Sequence, residues 1–159
     1  MFPGKRIAAT VAAVGALLCA TQHAVAGESG SFTAISVLSS TFTTLQQSGE
    51  TVFAGPTEGA SVITESSGEP FAVGSHTEMK CVAYGRISAS GVTLEAPCTA
   101  TASTNDKLYL LSKRTGERGR TELLGGTGMY DGIGGTCDYQ VASVSPKVNV
   151  TTAKCMWNR

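Results

Sequence analysis

After residue 30, apolar and polar residues alternate in short runs, which turn-forming residues divide about every ten residues. A period of two places successive side chains on opposite faces of an extended chain, the pattern of half-buried β-strands. No segment after residue 26 has the 3.6-residue period of an amphipathic helix. The predicted strands are 32–38, 51–54, 61–65, 77–88, 92–102, 107–113, 121–124, 136–144 and 148–157, and residues 41–47 fit either a strand or a short helix.

Many short strands at this spacing are typical of an all-β domain. A single antiparallel β-barrel of about eight strands is the expected architecture, and a β-sandwich is the alternative. Neither a linker nor a repeat of fixed period divides residues 27–159, so they are expected to form one domain.

Strands 77–88 and 92–102 form a hairpin with well-sorted faces when Cys81 lies directly opposite Cys98. This register puts apolar or small residues on the cysteine face and mostly polar residues on the other, as a half-buried antiparallel pair requires. A shift by one residue would destroy that sorting. The facing pairs on the cysteine face are Ala83 with Ala96, Gly85 with Leu94, and Ile87 with Val92, and the loop is Ala89-Ser90.

The side chains of strands 136–144 and 148–157 are also sorted between two faces when Cys137 lies opposite Cys155 and the chain turns around Pro146. Asp138 then lies opposite Lys154, which is a favourable cross-strand charge pair. Four cysteines allow three pairings, and the two registers favour Cys81–Cys98 with Cys137–Cys155. Zinc is not expected, because the chain has no C-x-x-C spacing and His76 is the only histidine after residue 26.

Residues 1–26 have the pattern of a cleaved signal peptide helix. Lys5 and Arg6 precede an apolar run over 7–20, and Ala24-Val25-Ala26 is an A-x-A cleavage signature. The run is too short to cross a bilayer, which takes about 20 apolar residues. The protein is therefore expected to be exported to the periplasm or secreted, where disulfides persist, with no membrane segment after cleavage.

Cleavage after Ala26 removes Lys5 and Arg6 and no acidic residue, so 12 acidic and 10 of the 12 basic residues remain, a formal net charge of −2. This balance argues against nucleic acid as a partner. The basic cluster Lys113, Arg114, Arg118 and Arg120 is predicted to be a solvated hairpin end. No cofactor motif is present: the glycine-rich segment 125–135 leads into a strand, whereas a phosphate cradle leads into a helix.

The glycine-rich segment 125–135 is therefore predicted to be structural. At least one of its glycines should have φ > 0, and Tyr130 and Ile133 should anchor the segment to the domain.

The segments 105–109, 125–135 and 155–157 resemble small exported bacterial proteins of unknown role that are similar to the allene oxide cyclase and dirigent-type barrel superfamily. This resemblance implies an eight-stranded antiparallel barrel of the calycin kind that can enclose an apolar lumen. It carries over no catalytic residue, because no position of this chain matches one in the plant cyclases.

The favoured function is non-enzymatic binding of a small apolar ligand in a lumen of about 300 Å³ or more. One alternative is an enzyme of the cyclase or isomerase type, with Glu58, Glu65 or Tyr130 as candidate lumen groups. The other is a structural or interaction role at the cell surface. No pattern indicates the oligomeric state. The candidate lumen residues for a ligand are Met79, Ile87, Leu94, Tyr139 and Trp157.

The disulfide pairing is testable by non-reducing peptide mapping of the purified protein. Peptides joining Cys81 to Cys98 and Cys137 to Cys155 are expected. Recovery of a Cys81–Cys155 or Cys98–Cys137 peptide would contradict both hairpin registers.

Overall fold

The computed structural model describes residues 27–145 and 147–159, which form nine β-strands and one short 3₁₀ helix. The signal peptide predicted for residues 1–26 lies outside the described residues. None of the described helices is long and apolar enough to cross a membrane. The elements are β1 Ser29–Ser40, β2 Thr43–Gln47, β3 Glu50–Ser66, β4 His76–Ser88, β5 Gly91–Ala102, β6 Lys107–Thr115, β7 Arg118–Gly126, the 3₁₀ helix Gly128–Tyr130, β8 Gly134–Ser145 and β9 Val148–Asn158.

All the strands belong to one antiparallel sheet in the order β1-β9-β8-β7-β6-β5-β4-β3-β2, and β1 also pairs with β3. Eight strands therefore close into a barrel, as predicted. The remaining strand, β2, lies outside the ring and pairs only with the first residues of β3. All five residues of β2 are exposed, so it extends the wall and does not enclose the core.

β3 runs unbroken through the region where the sequence predicted two strands, 51–54 and 61–65, so that division was wrong. Gly55 and Pro56 resemble a turn, but here they mark the point where β3 changes its partner from β2 to β1. The carbonyl of Pro56 accepts the backbone N–H of Thr41 at 3.0 Å. Proline has no N–H, and the N–H of residue 56 would point to the same side as this carbonyl. On that side β1 has ended and β2 has not begun, so few hydrogen bonds between strands are lost.

Both predicted hairpin registers are confirmed. Cys81 lies opposite Cys98 and Cys137 lies opposite Cys155, and each pair forms a disulfide, with Cα atoms 4.1 and 3.9 Å apart. Asp138 lies opposite Lys154 as expected. The four cysteines are buried on the inner face of the barrel. Two buried disulfides fit an oxidising extracellular or periplasmic environment.

The glycine-rich segment 125–135 closes one end of the barrel, and its predicted anchors and positive φ angles are confirmed. Tyr130 and Ile133 anchor it, with relative exposures of 4% and 2%. Thr127 and Lys107 exchange backbone and side-chain hydrogen bonds that tie the segment to β6. Positive φ angles occur at Gly125, Gly128, Gly132 and Gly135.

Gly135→Ala is expected to lower the free energy of unfolding by well over ~1 kcal/mol. Gly135 has φ +146°, and a Cβ there would overlap the carbonyl oxygen of Met156 on β9. Gly134→Ala is the matched control, because a Cβ at Gly134 would come no closer than 3.4 Å to the Asn158 side chain. Urea unfolding of the two variants measures the difference, and equal midpoints would refute a structural role for Gly135.

Candidate ligand-binding lumen

The inner face of the barrel encloses a cavity of about 200 Å³. Alternate residues of each strand point inward, so every second side chain along a strand contributes to the cavity wall. The cavity is smaller than the expected 300 Å³, but the lumen is not packed solid. Its lining changes in character from one end of the barrel to the other.

An aromatic cluster closes the end of the barrel that carries the glycine-rich segment. Phe71, from the loop between β3 and β4, stacks on Phe32 with ring centroids 4.0 Å apart. Tyr130 and Trp157 pack around Phe71 at 5.6 and 5.7 Å. All four side chains are buried, so the lumen is shut at this end.

The middle of the lumen is lined by small side chains and by the two disulfides. Small residues occupy inward positions that a filled barrel would give to Leu or Ile, and this leaves the space that forms the cavity. The small apolar residues lining this part are Ala34, Ala83, Ala96, Ala100 and Ala153.

The opposite end of the lumen is its mouth, near the hairpin turns that follow β4, β6 and β8. Phe42 and Phe53 line the cavity there with centroids 4.9 Å apart, and Phe42 is 37% exposed, so the lumen reaches solvent at this point. Hydroxyl groups line the same end in hydrogen-bonded pairs. Ser40 Oγ and Thr57 Oγ1 are 3.0 Å apart, and Ser112 Oγ and Thr121 Oγ1 are 2.7 Å apart.

Arg114 is the one charged side chain in the cavity lining of the described residues. It follows Leu108, Leu110 and Ser112 at intervals of two on the inner face of β6. The prediction of a solvated basic hairpin end is therefore wrong for Arg114, although Lys113, Arg118 and Arg120 are exposed. The alternation along 108–114 indicates an inward position for Arg114. The neighbouring positive charges favoured the prediction of a solvated hairpin end instead.

The tyrosines of the lumen are neutral hydrogen-bond donors at physiological pH. Burial raises the pKa of Tyr139, and the Arg114 guanidinium opposes that shift to a smaller extent. Burial also raises the pKa of Tyr130, with further contributions from Asp106 and Glu69. The Tyr139 hydroxyl donates to the backbone carbonyl of Lys113 at 3.3 Å.

Three of the five predicted lumen residues, Met79, Leu94 and Tyr139, line the cavity. Trp157 is buried in the cluster at the closed end. Ile87 is 47% exposed, because its partner Thr51 belongs to the part of β3 that pairs with β2 outside the closed ring.

The enzyme hypothesis named three candidate lumen groups, and only Tyr130 lies in the lumen lining. Glu58 and Glu65 are exposed on the outer wall, where Glu65 accepts a hydrogen bond from Thr33 Oγ1 at 2.7 Å. Within 27–145 and 147–159, no group of three or more His, Cys, Asp or Glu side chains could hold a metal ion.

Comparison with solved structures agrees with the closed barrel. The chain is similar to the pterocarpan synthase dirigent protein GePTS1, at TM-score 0.52 and 14% sequence identity, over 84% of this chain and 90% of that one. The two proteins share a β-barrel fold. No protein-family model matches the chain, and no curated protein matches it. The resemblance to the dirigent-type barrels predicted from sequence is thus confirmed for the fold.

Tyr130→Phe is expected to reduce the loss of stability at high pH. A phenol whose pKa is raised in the folded state contributes stability below its unfolded pKa of ~10, and that contribution disappears as the pH rises through the folded pKa. Chemical unfolding at pH 8, 10 and 11 measures this dependence. Tyr109→Phe on the outer wall, where the side chain is 41% exposed, is the control and should follow the wild type. Parallel curves for all three proteins would contradict the prediction.

Proposed function

We propose that this protein binds a small apolar ligand inside the barrel lumen and does so after export from the cytoplasm. The observation that carries the proposal is the cavity of about 200 Å³, closed by aromatic rings at one end and open beside Phe42 at the other. A concave, mostly apolar and preformed site of this kind is the usual form of a small-molecule site.

The cavity volume limits the ligand to a small molecule. An apolar cavity of ~150 Å³ in another protein stays dry and binds benzene. A cavity of about 200 Å³ therefore suits one substituted ring or a short branched chain. Each buried CH₂ group of such a ligand contributes ~0.8 kcal/mol, and part of that total is offset by the entropy lost on association.

The two disulfides support a preformed cavity. Cys81–Cys98 ties β4 to β5, Cys137–Cys155 ties β8 to β9, and both bonds line the lumen wall. Each closes a loop across a sequence separation of 17 or 18 residues, which contributes ~3 kcal/mol in the chain-entropy model. Cross-links at these two places oppose collapse of the wall into the empty space, so the ligand meets a site that needs little reorganisation.

Binding is favoured over cyclase or isomerase chemistry by the ionisable groups that face the lumen. In the described part of the chain these groups are Arg114, Tyr130 and Tyr139. Arginine does not lose its proton in proteins, and the raised pKa values of both tyrosines oppose a role as general base at neutral pH. The lining supplies hydrogen bonds and one positive charge, which are the features of a recognition site.

Native mass spectrometry of the protein purified from its own host tests the proposal directly. A stoichiometric co-purifying small molecule that leaves on gentle activation is the expected result. Isothermal titration with neutral probes (indole, benzyl alcohol and 1-hexanol) provides a second test. Failure of every probe to bind, together with a ligand-free native mass, would reject lumen binding.

Ala83→Leu is expected to abolish binding of the neutral probes while the fold is retained. Ala83 is 2% exposed and lines the cavity, so a larger apolar side chain there occupies the space that a ligand would take. Val82→Leu is the matched control, because Val82 is the neighbouring residue on the outer wall and is 61% exposed. Titration and thermal unfolding of both variants separate filling of the cavity from misfolding, and unchanged affinity in Ala83→Leu would place the ligand elsewhere.

A further inference from the structure

Arg114 brings a positive charge into a lumen whose described lining contains no negative one. Its side chain is half-buried, and its Nε atom is fully buried without a hydrogen-bond partner among the described residues. No described carboxylate forms an ion pair with it, and the described ion pairs of the protein lie elsewhere, at Lys80, Arg86 and Arg159.

The acidic residues near Arg114 in the sheet face the opposite way. Glu95 on β5 lies opposite Lys113, and Glu122 on β7 is exposed on the outer wall. Burying a polar group of a cation without a partner costs free energy, so such groups are usually paired. Arg114 thus lines the cavity without an ion pair to any carboxylate of the described chain.

A second donor lies beside Arg114. Ser112 precedes it by two residues on the same face of β6 and is hydrogen-bonded to Thr121 on β7 at 2.7 Å. Two hydroxyls have two protons and use one of them between themselves, so the other can be donated to a ligand. The Tyr139 hydroxyl is already bonded to the Lys113 carbonyl. The guanidinium and the free hydroxyl proton of the Ser112–Thr121 pair are therefore neighbouring donors, a set suited to the two oxygens of a carboxylate.

We propose that the ligand of the lumen carries one anionic group, a carboxylate, which pairs with Arg114 near the mouth while its apolar body lies along the small side chains of the lumen. This inference rests on the proposed function and adds a charge requirement to it. The described chain supplies the apolar wall and a single cation, so the ligand must supply the anion.

The experiment compares two ligands of nearly equal shape, 4-ethylbenzoate and 4-ethylbenzamide, by isothermal titration of the full chain at pH 7. The benzoate is expected to bind about tenfold or more tightly than the amide, the usual difference for a hydrogen bond to a charged group. In Arg114→Met the benzoate should lose at least that factor and the amide should not. Arg114→Lys, which keeps the charge but not the two-pronged geometry, should recover part of the benzoate affinity.

Arg118→Met is the matched control, because Arg118 belongs to the same charged hairpin but is exposed. It should leave both affinities unchanged. Thermal unfolding of each variant checks the fold, and Arg114→Met is expected to be at least as stable as the wild type because it removes a buried atom without a partner.

The outcomes separate this inference from the proposed function. Equal affinity of the wild type for the two ligands, or an unchanged preference in Arg114→Met, overturns the carboxylate site and leaves lumen binding intact. Failure of both ligands to bind overturns the carboxylate site, and lumen binding itself is then decided by the neutral probes and the native mass. If Arg114→Met does not fold, the wild-type preference for the benzoate and its change in Arg114→Lys decide the question.

Discussion

The structure depends on the pairing of β3 with two strands in succession. Its first residues pair with β2 and its later residues pair with β1, and this second pairing closes the ring. The closure needs a close approach of the two backbones, and Gly59 allows it, since a Cβ there would overlap the carbonyl oxygen of Val37 on β1. Without this pairing the chain would form an open sheet with exposed edges and no enclosed lumen.

Closure with eight strands also determines how sensitive the interior is to side-chain size. A barrel of this size is just wide enough for its own side chains to fill it. Whether a cavity exists therefore depends on a few inward positions, and in this chain alanines and half-cystines occupy the middle of the lumen. The aromatic cluster of Phe32, Phe71, Tyr130 and Trp157 supplies the packed core that these small residues cannot. The two ends of the barrel therefore differ: aromatic rings pack one end, and the cavity opens at the other.

The shared fold does not indicate the function of the lumen, because barrels of one architecture serve unrelated functions. At 14% identity, the likeness to a dirigent protein concerns the path of the backbone. The chemistry of the lumen depends on the side chains that this sequence places inside. Among these, Arg114 is distinctive, because it is the one charged side chain in the described lining and the acidic residues of the neighbouring strands β5 and β7 lie on the other face of the sheet.

Local pattern determined much of this protein: most of the strands, both cysteine registers, the two disulfides and the anchoring roles of Tyr130 and Ile133 follow from a period of two and from the sorting of facing residues. The local pattern did not predict that β3 is continuous, because Gly55-Pro56 has the composition of a turn. The strand tolerates these two residues because they lie where its partner changes from β2 to β1. The existence of the cavity and the place of Arg114 in its lining were decided by the tertiary structure alone. Alternation assigns Arg114 to one face of β6, but only the closure of the ring turns that face into the wall of a lumen, where Arg114 has no ion pair with a described carboxylate.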